Sequence, residues 1–575
     1  MQEIIKNKIK EALKNLGIEA EAIVLEHPAD IKMGDYSTNV AMAYAKQLKM
    51  NPKELAEKIV GEINKNKIPE IQKVEVAGFG FINFYLSREF FTNSVKEILD
   101  KKEDWGKNEI LKGKKVMVEY TQPNPFKPFH IGHLMSNAIG ESISRIVEFS
   151  GAKTVRANYQ GDVGLHVGKS IYGLIEKGKP DESLSISDQA IYIGTCYSWA
   201  SNLYDTDENI KKEIDIINKK VYEKSDATIN EMYDWGRKVT LDAFEVIYKT
   251  LDTKFDYYFF ESEMAPIGEK IVRTNIPNVF EESQGAIVFH AENYNPKLHT
   301  RVFITSQGLP LYETKEIGLT MTKFEKENPD LSITETAIEQ GEYMKVVQQA
   351  LSLIRPDLES RMQHVTHGMM RVATGKMSSR KGNVVTGESL ISDSMDIVRE
   401  KVAERELTDD EKEMISGVVG VSALKYSILK SSLGSDIIYD FEKSISFEGD
   451  SGPYLQYTAV RASAVIKKAK EAGITSPLAP LLSGEGRIPE EVTMLEHMLY
   501  QFPEVIARAY ESLEPHHIAT YLTELASAFN SFYGNTQIIN TEDSNSAYRV
   551  LLVEAFFNTM KNGLYLLGIK TPEKM

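Results

Sequence analysis

Val116-Met117-Val118-Glu119-Tyr120-Thr121, then Pro123, Pro125 and Pro128, then His130-Ile131-Gly132-His133: how this run is read decides the fold. Its first six residues are mostly β-branched, apolar or aromatic, as in a buried strand. The three prolines fix φ and remove backbone donors, so regular structure stops until the histidines. Beyond them Leu134, Ala138, Ile139, Ile143, Ile146 and Val147 recur at helical spacing, which predicts a helix with His130 and His133 at or just before its N-terminus. Thr154-Val155-Arg156-Ala157-Asn158-Tyr159 reads as a second strand. Strand, helix and strand in that order build a parallel sheet, so the expected class is α/β with a Rossmann-like core.

A helix N-terminus presents unpaired N–H groups and the positive end of the helix dipole, and therefore attracts phosphate. His130 and His133 would add ring donors, while Gly132 lets a nucleotide lie close to the backbone. Far downstream stands Lys376-Met377-Ser378-Ser379-Arg380-Lys381-Gly382, flanked by Thr374-Gly375 and Gly382-Asn383. Those flanks predict a mobile basic loop whose Lys376, Arg380 and Lys381 could close over a leaving pyrophosphate. When a carboxylate attacks the α-phosphorus of ATP, negative charge moves between oxygens, and fixed donors and cations stabilise it. The two runs, in this order, resemble the nucleotide-binding signatures of the class I aminoacyl-tRNA synthetases. The residues around them narrow the resemblance to the arginyl-tRNA synthetase family.

That resemblance implies roles for individual residues. His130, His133, Lys376 and Lys381 would be catalytic, with Lys127 standing where a subset of the family compensates for a missing signature lysine, here Ser379. ATP would be lined by Pro123, Pro128, Ile131, Gly132, Met377, Ser378, Ser379 and Arg380, and by His367, Gly368 and Met369 in a run whose backbone faces adenine. Arginine would be held by Glu119, Asn124, Asp162, Tyr312, Glu316 and Gln340, since a guanidinium fork is best met by carboxylates. Glu316 stands where the family usually has Asp, Tyr343-Met344 where it has a His-aromatic pair, and His367 where it has an apolar or aromatic residue. The family also implies activation of arginine only once tRNA is bound.

Further runs extend the resemblance over nearly the whole chain. Gly78 to Phe84 resembles part of an N-terminal tRNA-docking domain, in which Phe79, Phe81 and Asn83 would touch RNA, although alternating aromatics in a strand are more often core. Gly449 to Tyr457 with Arg461 resembles a family run in which Tyr454, Gln456, Tyr457 and Arg461 would contact tRNA. The expected domains are 1–105 (tRNA-binding, α+β), 106–400 (catalytic, with a helical insertion near 175–255) and 401–575 (helical, anticodon-binding).

Composition constrains the rest. The single cysteine, Cys196, excludes an internal disulfide framework and a thiolate-cluster zinc site, and no protein-bound metal is expected beyond Mg2+ accompanying ATP. No apolar run is long enough to span a membrane or act as a signal, so the cytoplasm is the default, and a monomer is expected separately. The net charge of −16 is awkward for an RNA-binding protein and requires local basic patches. The partners expected are tRNA(Arg), L-arginine and ATP. A related synthetase for another amino acid, or a synthetase-derived RNA-binding protein without activation chemistry, stays open at this point.

Overall fold

The computed structural model describes residues 1–373, 386–474 and 488–575. It divides into two compact units: Gly106–Val460 with Pro503–Glu524 and Met560–Met575, and Met1–Trp105 with Arg461–Phe502 and Leu525–Thr559.

In the larger unit, five parallel strands form one sheet: β1 (Lys115–Glu119), β2 (Lys153–Gln160), β3 (Tyr257–Phe260), β4 (Leu331–Ala337) and β5 (Met362–His367), in the spatial order β5-β4-β1-β2-β3. The chain builds outward from β1 through β2 to β3, then crosses back to lay β4 on the other side of β1. That reversal opens a crevice at the carboxyl ends of β1 and β4, where ligands of doubly wound sheets bind. Val116, Met117 and Val118 are fully buried, as expected of a central strand covered on both faces.

Helix α1 (Ile131–Phe149) connects β1 to β2. Between β2 and β3 stand α2 (Leu165–Lys177), α3 (Ile186–Thr206), α4 (Glu208–Glu223) and α5 (Ala227–Thr250). They share a core that includes Val167, Ile171, Ile193, Cys196, Val221 and Val239, and Phe126 from the proline-rich loop packs into it. Helices α6 (Glu261–Thr274) and α7 (Tyr312–Lys326) follow β3. Gly268 and Gly318 let these two touch backbone to backbone: a Cβ on Gly268 would overlap the Thr314 carbonyl, and one on Gly318 the Met264 carbonyl. This close approach turns the first turns of both helices into the crevice. Between them in the chain lies a small antiparallel sheet, Glu281–Ser283, Ala286–Phe289 and Arg301–Ile304, which the sequence pattern does not set apart from the parallel core.

The smaller unit begins with helices Gln2–Asn15, Val40–Leu48 and Pro52–Lys65 against an antiparallel sheet of Tyr36–Thr38, Phe81–Leu86 and Ile71–Ala77. Ile5, Ile9, Leu55, Ile59, Ile82 and Phe84 make its core. Gly78 and Gly80, at φ 52° and 124°, turn the hairpin that carries Phe79. Later chain joins this unit through buried Glu496, which ties to Arg88 and to Tyr548. From Asp409 onward the described residues are mostly helical, including Asp409–Leu429, Gly452–Glu471, His516–Asn535 and Ser546–Leu566.

Candidate active site

The start of α1 is built by the two histidines themselves. His130 is the N-cap: its Nδ1 accepts the His133 N–H at 3.4 Å, and His133 Nδ1 accepts the His130 N–H at 3.3 Å. The rings stack with centroids 3.5 Å apart. Since both Nδ1 atoms accept, each neutral ring carries its proton on Nε2 and can donate it. Desolvation of the ring, reinforced by the Lys127 charge, lowers the His130 pKa to about 4 even though part of the residue stays exposed, and burial with the His130 and Lys127 charges holds that of His133 well below the ordinary histidine range. The pair is therefore neutral near pH 7 and presents donors at a helix N-terminus. A Cβ on Gly132 would lie 3.0 Å from His130 Cε1, so a side chain there would push the cap apart.

The loop into this cap is strained. Thr121, Gln122 and Phe126, none of them glycine, sit at φ 77°, 50° and 67°. Strain of this kind persists only where surroundings impose it. Here Thr121 N–H donates to Ser136 Oγ at 2.8 Å, Asn137 Nδ2 donates to Thr121 Oγ1 at 3.0 Å, and Phe126 is fully buried. Lys127 is half-buried, its ammonium 5.5 Å from the Tyr197 ring centre, and its pKa is lowered by burial and by Lys169. Pro128 abuts Gly194 on α3.

At the carboxyl ends of β1 and β3 lies a buried cluster of carboxylates. Glu119 accepts Lys323 Nζ at 2.7 Å and Gln122 Nε2 at 2.8 Å, and Glu261 pairs with Lys315 at 2.6 Å. Glu316 is 8% exposed and has no ion-pair partner among the described residues; it accepts the Tyr343 hydroxyl at 3.5 Å. Burial and the charge of Glu119 push its carboxyl well above the ordinary glutamate range. An unpaired buried carboxylate is costly, and a bound cation removes the cost.

Other expected arginine contacts are placed differently. Asp162 is fully buried and accepts Ser262 N, Ser262 Oγ, Arg237 Nε and Tyr233 OH, so its carboxylate is committed to holding the β2–α2 loop to α5 and α6. Tyr312 is 64% exposed. Gln340 lies exposed just past the end of β4. Asn124 sits over Gly161, where a Cβ would overlap its Oδ1.

In the run expected to face the nucleotide, Gly368 N–H donates to Leu433 O at 2.7 Å, Met369 N–H to Asp436 Oδ1 at 2.9 Å, and Met369 O accepts Ile437 N–H at 2.8 Å. These groups are already engaged, so this stretch can offer adenine a surface more readily than hydrogen bonds. His367 is 2% exposed and lies beneath that surface. The run 376–382, with Lys376, Met377, Ser378, Ser379, Arg380 and Lys381, lies outside the described residues.

Of the residues expected at RNA, Phe79 is 85% and Phe81 43% exposed, whereas Asn83 is buried and accepts Ser37 Oγ at 2.7 Å. Gln456 is fully buried, donating to Lys570 O at 2.7 Å, and Arg461 donates to Asn530 Oδ1 at 2.6 Å. Tyr454 and Tyr457 are half-buried. Asn83 and Gln456 thus serve the framework rather than an RNA surface.

Sequence reasoning missed Lys315, Lys323, Glu261 and His166. His166 Nε2 lies 2.9 Å from Gly161 O, and burial with the Lys127 charge lowers its pKa to about 3. One signal was available: Glu316 and Lys323, seven apart on α7, share a helix face. The partners of Lys323 and Lys315 are 204 and 54 residues away and leave no local trace.

The family described as tRNA synthetases class I (R), catalytic domain, matches residues 94–441. The arginyl-tRNA synthetase N-terminal domain matches 3–86 and the DALR anticodon-binding domain 455–575. An arginine–tRNA ligase of Thermococcus sibiricus is 31% identical, covering 100% of this chain and 98% of that protein. One of Fusobacterium nucleatum is 33% identical over 94% of this chain and 93% of that protein. The solved arginyl-tRNA synthetase of Thermus thermophilus shares the fold with a TM-score of 0.81 at 23% identity, covering 100% of both chains, and that of Plasmodium falciparum with 0.79 at 22%, covering 100% and 99%. With its doubly wound core, its histidine-capped signature helix and these matches, the chain belongs to the class I arginyl-tRNA synthetase family.

Proposed function

We propose that this protein ligates L-arginine to tRNA(Arg) in two steps. In the first, an oxygen of the arginine carboxylate attacks the α-phosphorus of ATP, and pyrophosphate leaves. In the second, a hydroxyl of the terminal ribose of tRNA attacks the arginyl carbonyl, and AMP leaves. The observation that carries this reading is Glu316, a buried carboxylate without an ion-pair partner among the described residues, beside Glu119 and Glu261, in the same crevice edge as a helix N-terminus capped by two neutral histidines.

Each residue has a part in the proposal. The Nε2–H groups of His130 and His133 donate to phosphate oxygens as charge shifts onto them, and Lys127 adds a cation. Glu316, with Glu119 behind it, receives the guanidinium. Glu119 itself is held by Lys323, so it shapes the pocket's field more than it grips the substrate. Asn124, Tyr312 and Gln340 stand at the edge, where the α-amino and carboxylate ends lie. Asp162 keeps the loop in place. Lys376 and Lys381 would act on the pyrophosphate. Mg2+ enters as part of the MgATP substrate: His130, His133 and Lys127 are donors and a cation, not a carboxylate set that would ligate a metal, and no step depends on it here. The enzyme works as a monomer in the cytoplasm; no described helix is long and apolar enough to cross a membrane.

Charging of unfractionated tRNA with each labelled amino acid in turn tests this reading. Incorporation of arginine alone is expected. Charging with another amino acid would reassign the pocket, and binding of tRNA without charging would make this an RNA-binding relative.

A further inference from the structure

Beneath the nucleotide surface lies a buried polar group that the mechanism does not use. Glu335, on β4, is fully buried, a costly place for a carboxylate in the centre of a sheet. Its Oε2 accepts the hydroxyl of Ser136, one turn into α1, and that hydroxyl in turn accepts the Thr121 N–H from the strained loop. Its Oε1 has no hydrogen-bond partner among the described residues and faces His367 Nε2 at 3.4 Å. The other ring nitrogen, His367 Nδ1, lies 2.6 Å from Gly368 O.

A carbonyl only accepts, so Nδ1 of His367 carries a proton and donates it. In a neutral ring Nε2 would then be a bare lone pair, set against an oxygen of Glu335. Two acceptors at that distance repel, so the pair must hold one further proton, on Nε2 or on the carboxyl. Either location leaves the pair without net charge, which is what burial demands. Burial also pushes the Glu335 carboxyl above its ordinary range.

We propose that Glu335 and His367 form a proton-holding dyad that positions the ATP subsite. Through Gly368 O the dyad fixes the peptide under the nucleotide; through Ser136 it fixes the first turns of the histidine-capped helix and the Thr121 backbone. It thereby sets the spacing between the adenine side and the phosphate side of the same ligand. Glu335 is a positioning residue and touches no substrate. The inference rests on the reading of this crevice as an ATP site, and the test separates the two.

The experiment is steady-state charging of tRNA(Arg) by purified full-length Glu335→Leu, Glu335→Gln and Ser136→Ala. Glu335→Leu is expected to raise KM for ATP tenfold or more while changing KM for arginine less than twofold. Glu335→Gln can donate its amide to His367 Nε2 and accept Ser136 with its carbonyl, so it is expected to restore KM for ATP to within threefold of wild type. Ser136→Ala, which removes one hydroxyl and folds more safely, is expected to raise KM for ATP severalfold. An unchanged KM for ATP in Ser136→Ala, equal shifts for both substrates in Glu335→Leu, or damage by Glu335→Gln equal to that by Glu335→Leu would overturn the proposal. Charging with arginine by the wild type would still stand in each of those cases, and its absence would sink the functional reading instead.

Discussion

His130 and His133 spend their Nδ1 atoms on each other's backbone, so only Nε2–H is left for chemistry. A donor fixed before the reaction stabilises charge that develops during it, and its loss falls on turnover. His130→Ala and His133→Ala are each expected to cost about 2–4 kcal/mol in activation, seen mainly as lower kcat. Unchanged kcat with only a raised KM for ATP would contradict the assignment. Glu316 makes a second prediction. Because its folded-state pKa is raised, the protonated form is favoured in the empty pocket, and the contribution to stability present at low pH is lost as pH rises above the ordinary glutamate range. A guanidinium reverses this, so arginine binding should release a proton and tighten as pH rises from about 6 to 8. Calorimetry in buffers of differing ionisation heat reads that proton, and a buffer-independent heat would contradict it. Resemblance by motif pointed to Glu316 and the histidines. It could not show that Asp162 and Gln456 are buried and already bonded, because burial depends on partners distant in the chain.

At the scale of elements, β1, the proline loop, α1 and β2 were legible because their signals are local: strand composition, proline, and helical period. The sheet order, the antiparallel insertion and the α6–α7 contact were not. That contact depends on Gly268 and Gly318, which look unremarkable in sequence but leave no room for a Cβ between the two helices. Gly318→Ala should push α7 away from α6. It is expected to cost about 1–3 kcal/mol of stability, the usual range for overpacking, and to raise KM for arginine more than KM for ATP, since Lys315, Glu316 and Lys323 ride on α7. Thermal unfolding and substrate titration check it; an unshifted midpoint would mean that the helices can part freely.

For the whole molecule, a net charge of −16 is a barrier to RNA that specific contacts must overcome. The exposed Phe79, at a glycine-turned hairpin tip, is one such contact in our account, by stacking on an unpaired base. Phe79→Ala is expected to weaken tRNA binding by about 1–3 kcal/mol with KM for arginine and ATP unchanged. Equal tRNA affinity would return that residue to the ordinary surface. The family's dependence on tRNA adds that arginine-dependent pyrophosphate exchange should be negligible until tRNA is present. All of this rests on the claim that the buried carboxylate pocket selects arginine, and charging kinetics of Glu316→Gln test it most directly. The amide keeps the shape and removes the charge, so the account predicts a loss in arginine recognition of roughly 1.5–3 kcal/mol, about a 10- to 150-fold rise in KM, with KM for ATP little changed. Wild-type constants for arginine in Glu316→Gln would remove this residue from the pocket and reopen the identity of the amino acid.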